Sequence, residues 1–315
     1  MGHRKHSAPR RGSLAYRPRG RAGSQIPRVR TWPAVAGDKP TFLAYPAFKA
    51  GTIHVITVDD RAKTPNFGKA LFNMSSVLSL PDAEVKGLRL YSHLDGRDNP
   101  ITQVVSPSKA TADSLPLART SRVTAFVSVN PSEAGLSQKE PIELEVGVSG
   151  ANVKAQAEYV LGLLGKKVKF ADAFKAGMYV DVLGITKGKG FEGPVTRFGV
   201  KRKQHKSRKS VRAVGVIGPW HPAAVMYTVP RAGQMGFHQR TETGKKILIL
   251  GNAKEKPITP PGGFMHFGDV RGDYAVLRGS VPGPARRFVM VRHRVRGVEK
   301  PRPPPQVIEV STVRR

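Results

Sequence analysis

Runs of β-branched and aromatic residues, broken by Gly, Pro and Asp, recur along the chain and predict a mainly β protein. Residues 42–45 are apolar, and residues 51–58 (GTIHVITV) form a β-branched run stopped by Asp59 and Asp60. That is the pattern of a strand and its turn. Residues 71–80 and 86–91 are two more apolar runs, and residues 122–130 (RVTAFVSVN) another. Residues 176–186 (AGMYVDVLGIT) read as a strand, and residues 247–250, 274–278 and 288–291 alternate with Gly/Pro turns as a return to the same β-domain would. One stretch has the helical period. Residues 152–164 put Val153, Ala157, Val160, Leu161 and Leu164 on one face, with Asn152 placed to cap the helix and Gly165 to end it.

Two long segments carry no hydrophobic period. Residues 1–30 hold nine basic residues and no acid, among Gly, Pro and Ser. A segment of that composition does not bury enough surface to fold alone and is expected to order on phosphate. After the strand at 176–186 the pattern is lost again until about Lys246, over a region with fourteen Lys/Arg and two acids, Glu192 and Glu242. A structureless loop that long is uncommon in a compact domain unless it is functional. Pro301 and Pro303 to Pro305 mark a linker before the apolar residues 307–310. The expected organisation is a basic arm (1–40), the first part of a β-body (41–91), a mixed α/β insert (92–175), the second part of the body (176–300) with a finger loop at 187–246, and a tail (301–315). No internal repeat is visible.

Charge sharpens this picture. The chain has 315 residues, 53 Lys+Arg and 22 Asp+Glu, a formal net charge of +31. Such a chain repels itself unless polyanions surround it. Nucleic acid is the first candidate and an anionic membrane surface the second. The charge is uneven: residues 197–212 carry eight basic residues, whereas residues 82–158 carry ten acids against eight bases. The insert is therefore expected to face away from the polyanion. With no cysteine there is no disulfide framework, thiolate nucleophile or thiolate metal site. No run approaches the roughly 18 apolar residues of a membrane span. No apolar h-region follows the basic N-terminus, so no secretory signal is expected, and the Asn73-Met74-Ser75 sequon is discounted. The 33 Gly and 26 Pro argue against a long-helix protein.

Short motifs add little chemistry. Gly188-x-Gly190-x-x-Gly193 has the spacing of a dinucleotide fingerprint, but Pro194 and a basic coil follow, and no acid occurs between Glu192 and Glu242. The glycines instead let backbone approach phosphate closely, with Lys187 and Lys189 adding charge; an ordinary flexible turn is the plain alternative. Trp220 sits between turn formers (IGPWHP) in a basic region without period, which suits an indole held out to stack on a base. The nine histidines form no metal-ligand spacing, and no Ser/His/Asp order has a supporting context.

Four blocks, in order, resemble the ribosomal protein L-three family of the large subunit. They are GHRKHSAPRRGSLAYRPR (2–19), VLGITKGKGFEGPVTRFG (182–199), GPWHPAAVMYTVPRAGQMGFHQRTE (218–242) and VLRGSVPGP (276–284). They span nearly the whole chain; 182–199 and 276–284 also resemble bacterial members, whereas the N-terminal block and the Trp-His-Pro stretch look like the archaeal and eukaryotic branch. The resemblance implies a six-stranded β-barrel of the translation-protein type, split by an α/β insert, with an extended N-terminal arm and a long basic finger loop. It implies a non-enzymatic cytoplasmic protein of the large ribosomal subunit that binds its rRNA directly and supports early assembly. The finger approaches the peptidyl transferase centre, with Trp220 matching the Trp near its tip, and the body lies near the sarcin–ricin loop and the factor-binding side. The chain departs from the eukaryotic pattern in one place: the modifiable histidine twelve residues before the finger Trp is replaced by Arg208, with His205 close by.

Charge and resemblance together assign rRNA contacts to Arg4, Lys5, Arg10, Arg11, Arg17, Arg19 and Arg21 in the arm. In the finger they assign Lys187, Lys189, Arg197, Lys201, Arg202, Lys203, His205, Lys206, Arg208, Lys209, Arg212, Trp220, His221, Arg231, Gln234, Arg240, Lys245 and Lys246. Expected partners are large-subunit rRNA and neighbouring ribosomal proteins, with no membrane, cofactor, metal or homo-oligomer. An RNA-acting enzyme, or a non-ribosomal RNA-binding protein, that uses the Gly/Lys-rich loop as a phosphate cradle is the alternative.

Overall fold

The structure, a computed structural model, describes residues 10–35, 39–105, 111–297 and 303–311. The chain divides into two compact units, a smaller one of residues 1–24 and 185–239 and a larger one of residues 25–184 and 240–315. In chain order the strands are β1 (Thr41–Phe42), β2 (Ala44–Val58), β3 (Ala70–Leu80), β4 (Ala83–Leu94), β5 (Arg97–Val105), β6 (Arg122–Val129), β7 (Ile142–Ser149), β8 (Lys167–Val168), β9 (Tyr179–Ile185), β10 (Gly188–Glu192), β11 (Gly233–Gly236), β12 (Gln239–Asn252), β13 (Asp273–Arg278), β14 (Phe288–His293) and β15 (Val307–Ser311). The α-helices are α1 (Val153–Gly162), α2 (Phe170–Ala173) and α3 (Pro194–Phe198).

Two sheets build the larger unit. The first runs β14-β9-β12-β13-β3-β2-β15, and β14 also pairs β2, so its hydrogen-bonded ladder returns to its starting strand. The second runs β1-β7-β6-β4-β5, with β8 added beside β4. The fifteen residues of β2 hold the first sheet together. Residues 44–48 pair with β14, Phe48 opposite Phe288, and are buried on both faces. Past Gly51 the strand pairs with β15 instead, and burial alternates through Ile53, Val55 and Thr57. The change is made at a bulge, where the register against β3 shifts between Lys49 and Gly51. A bulge bends a strand and increases its twist. Gly51 is required there, because a Cβ would stand 2.3 Å from Cδ1 of Phe264.

One continuous apolar core joins both sheets. Fully buried Phe48, Leu78 and Leu277 come from the first sheet, and Val85, Leu88 and Leu90 from the second. The rings of Phe48 and Phe288 meet edge to face, 5.6 Å apart. The Tyr45 hydroxyl lies 2.9 Å from the carbonyls of Pro81 and Val168, and burial pushes its pKa far up, so it stays a donor. Asp181, also buried, accepts from the backbone N–H of Gly244 and Val295 and from Arg292, whose guanidinium also reaches the Thr31 carbonyl.

Several expectations change. Residues 26–35 are not free arm: Ile26, Val29 and Trp32 pack against the core, and Trp32 covers Gly147 so closely that a Cβ there would be 2.6 Å from its ring. Ile26, Val29 and Trp32 stand singly among basic and turn-forming residues, so no apolar run marks them. The run 86–91 lies in β4 of the second sheet, with Pro81-Asp82 as the break; pairing partners, which local pattern does not encode, separate it from the run at 71–80. The alternating IELEVGVS forms β7, with Ile142, Leu144 and Val146 buried. The helix forms as α1, but Asn152 makes no side-chain cap bond and supplies only its carbonyl to Gln156 N. The region 187–246 is not structureless. It contains β10, α3 and β11, and β12 already starts at Gln239.

Two glycine substitutions should move stability in opposite directions. Gly51→Ala forces Phe264 aside and is expected to cost about 1–3 kcal/mol, as overpacking does. Gly162→Ala, in the last turn of α1 with open space around it, is expected to gain up to about 1 kcal/mol. Urea unfolding at high ionic strength reads both; equal effects would contradict the bulge account.

Candidate nucleic-acid interface

The smaller unit is organised by a glycine-rich hairpin. β10 and β11 pair antiparallel, with Gly188 opposite Gly236 and Glu192 opposite Gly233, and an irregularity between Gly188 and Phe191. Gly236 has φ +72°, and a Cβ there would fall 2.0 Å from the Lys187 carbonyl oxygen, so only glycine fits. His238, buried, pins the arm to this hairpin. Its Nε2 accepts from Gly236 N (3.1 Å) and its Nδ1 lies 2.8 Å from the Gly20 carbonyl, which assigns the proton to Nδ1. Thr186 Oγ1 accepts from His238 N, and Ala22 N donates to the Phe237 carbonyl. No local sequence signal marks His238, because its partner Gly20 lies 218 residues away in the chain.

The segment Gly193 to Gly199 forms the one-turn helix α3 rather than coil. Pro194 stands at its first position and Gly199 closes it at φ +65°. Proline suits that place because its missing N–H is an orphan there in any case. α3 presents Phe198, which is 8% exposed, to three guanidiniums: Arg19 at 4.2 Å, Arg197 at 5.1 Å and Arg17 at 5.2 Å from the ring centroid. Arg197 spends Nε on the Gln234 carbonyl and Nη1 on the Arg231 carbonyl. Burial, then the neighbouring Arg17 charge, lowers its pKa. Arg19 donates to the Arg197 carbonyl, Arg10 to the Thr228 carbonyl and Arg212 to Thr196 Oγ1.

Charge is segregated between the units. The described residues of the smaller unit include sixteen Lys/Arg: five in 10–24 and eleven in 185–239. They include one acid, Glu192. The structure leaves Arg10, Arg11, Arg21, Lys187, Lys189, Lys201, Arg202, His205, Lys206, Arg208, Lys209, Arg212, His221 and Arg231 exposed. Arg17, Arg19, Arg197 and Lys203 are half-buried, as is Gln234, whose amide donates to the Gly236 carbonyl. Trp220 is 88% exposed, with the His221 ring edge-on beside it at 6.2 Å. Residues 201–232 are held by isolated turns such as Lys203 N to Val211 O and Val229 N to Met226 O.

Three assigned positions fall in the larger unit: Arg240 and Lys245, both half-buried, and Lys246. Lys245 pairs with Glu242 at 3.1 Å. Lys246 is 4% exposed and its ammonium pairs with Asp60, so it turns into the unit rather than out to solvent. It lies in β12, where alternation puts it inside, a register invisible without the strand boundary. Arg4 and Lys5 lie outside the described residues. Among the described residues no group of three or more His, Asp or Glu is placed to hold a metal, and no helix is long and apolar enough to cross a membrane.

Comparison with known proteins gives a consistent family. The family model described as Ribosomal protein L3 matches residues 1–113 and 111–311. A large ribosomal subunit protein uL3 from Methanococcus maripaludis is 42% identical over 98% of this chain and 97% of its own. Its counterpart from Caldivirga maquilingensis is 42% identical over 91% and 90%. That from Methanothermobacter thermautotrophicus is 37% identical over 98% of both chains.

The two tryptophans give a direct test of this surface. In the RNA-free chain, acrylamide is expected to quench the exposed Trp220 and largely spare Trp32. Trp220→Phe should remove most of the quenchable emission and leave a blue-shifted remainder. Unchanged quenching in that variant would mean that Trp220 is covered.

Proposed function

The chain belongs to the ribosomal protein L3 family, and on that premise we propose that it is a structural, non-enzymatic component of the large ribosomal subunit that binds large-subunit rRNA directly. The observation that carries this is the charge of the smaller unit, whose described residues include sixteen Lys/Arg and one acid, Glu192, with Trp220 88% exposed among them. Lys and Arg neutralise phosphates and release counterions, and Arg also stacks on bases and forks onto phosphate. The exposed arm and finger residues named above supply these contacts. Lys246 is left out, and Arg197 and Gln234 act mainly by shaping the unit.

In this account the finger inserts into rRNA near the peptidyl transferase centre with Trp220 at its tip, and the arm and finger support early assembly. The ladder of β14, β9, β12, β13, β3 and β2 serves as the six-stranded translation-protein-type barrel. The sheet built on β4 to β7 is the insert, which meets neighbouring ribosomal proteins. Neither a membrane nor a second copy of the chain is needed. The peptide-bond chemistry belongs to RNA, and this chain braces it.

Salt dependence tests the proposal. If about ten of these residues touch phosphate, the slope of log affinity against log salt is about −7 to −9. Removing residues 1–24, which retains the packed Ile26, Val29 and Trp32, should weaken binding of the full chain to large-subunit rRNA and make the slope shallower by about 2 to 4. Unfolding of the larger unit, which contains none of the removed residues, should be nearly unchanged. An unaltered slope would contradict the arm's role.

A further inference from the structure

A cavity of about 470 Å³ opens in the smaller unit, lined chiefly by Arg17, Pro18, Arg19, Arg197, Phe198 and Tyr227. That volume lies within the roughly 300–1,000 Å³ of small-molecule pockets. Phe198 lines it as a buried ring, with Gly12 so near that a Cβ would be 2.6 Å from the ring. Packing explains part of the arrangement, since Arg19 and Arg197 each donate to backbone carbonyls. It does not explain Arg17 or Tyr227. Tyr227 is 73% exposed, and its hydroxyl has no hydrogen-bond partner among the described residues. The Arg17 guanidinium makes no ion pair or hydrogen bond with a described residue either, and is suspended between two rings, 5.2 Å from Phe198 and 5.9 Å from Tyr227. Three like charges thus meet with no carboxylate among the lining residues.

Resting on the rRNA-binding role above, we propose that this cavity receives a single unstacked rRNA nucleotide, its base against the open face of Tyr227 and its phosphate on Arg17. The chemistry matches on both counts. An exposed aromatic face accepts any base, and unpaired bases are the usual targets of protein recognition in RNA. The guanidinium fork supplies two parallel donors to phosphate oxygens, and the incoming anion offsets the repulsion among the three arginines. Trp220 does not line this cavity, so the two positions contact different nucleotides in this proposal.

The test uses large subunits carrying the full-length chain as wild type, Tyr227→Ala, Tyr227→Phe or Trp220→Ala, with 2′-hydroxyl acylation read at every rRNA nucleotide. Tyr227→Ala is expected to raise the reactivity of one nucleotide about fivefold or more, as loss of a stacking platform does. Tyr227→Phe should leave it protected, and Trp220→Ala should alter other nucleotides. Ultraviolet cross-linking of wild-type subunits should join Tyr227 to that same nucleotide, which keeps the proposal testable if the alanine variant fails to incorporate. No reactive nucleotide specific to Tyr227→Ala and no adduct at Tyr227 overturn the pocket while leaving rRNA binding intact, provided Trp220→Ala still changes the footprint. If the wild-type chain is absent from the subunits, the rRNA-binding role itself fails.

Discussion

Repulsion among the cations of the smaller unit is the constraint on which the rest of the structure depends. Sixteen Lys/Arg against one carboxylate among its described residues leave little internal counter-charge, and no ion pair forms among those residues. The ion pairs belong instead to the larger unit, from Arg89–Glu145 and Arg122–Asp98 to the buried Arg292–Asp181. A unit built this way needs other means of holding shape. It uses neutral ones: the His238 imidazole between Gly20 and Gly236, guanidiniums donating to backbone carbonyls, and arginines over the Phe198 ring. Each leaves the positive charge in place for a polyanion, and the cation–π contacts are worth only about 0.5–2 kcal/mol each.

The larger unit solves the opposite problem. Its long strand β2 is buried on both faces over 44–48 and on one face beyond Gly51. The same strand therefore serves the shared core and then an outward-facing surface. The bulge at Gly51, the locked Tyr45 hydroxyl and the bonds of Asp181 to Gly244, Val295 and Arg292 fix strand ends that local sequence does not specify. Acids are spent here on pairing, which is why the locally acidic stretch 82–158 maps onto the second sheet and α1.

Much of the β-body was legible. β-branched runs at 51–58, 71–80 and 122–130, and the helical face at 152–164, locate real elements because burial imposes their periods. The exposed Trp220 was also legible, from turn formers on both sides. What was missed depends on tertiary partners or on glycine. GKGFE and GQMG form β10 and β11 with no apolar alternation, since their strands face little core. Pro194, a breaker by residue type, opens α3 because proline suits the first helical position. Ile26, Val29 and Trp32 were hidden among arginines, and Lys246 was grouped by charge with neighbours that point elsewhere. Net charge identifies a surface, but only strand register shows which cations remain on it.

The most direct measurement is sedimentation of a native lysate through a sucrose gradient, at low and high salt, with detection of this chain. Co-sedimentation with the large subunit that survives the high-salt wash is the predicted result, because a threaded arm and finger are held by enclosure as well as by screened charge. A position near the top of the gradient at both salts would contradict the ribosomal role.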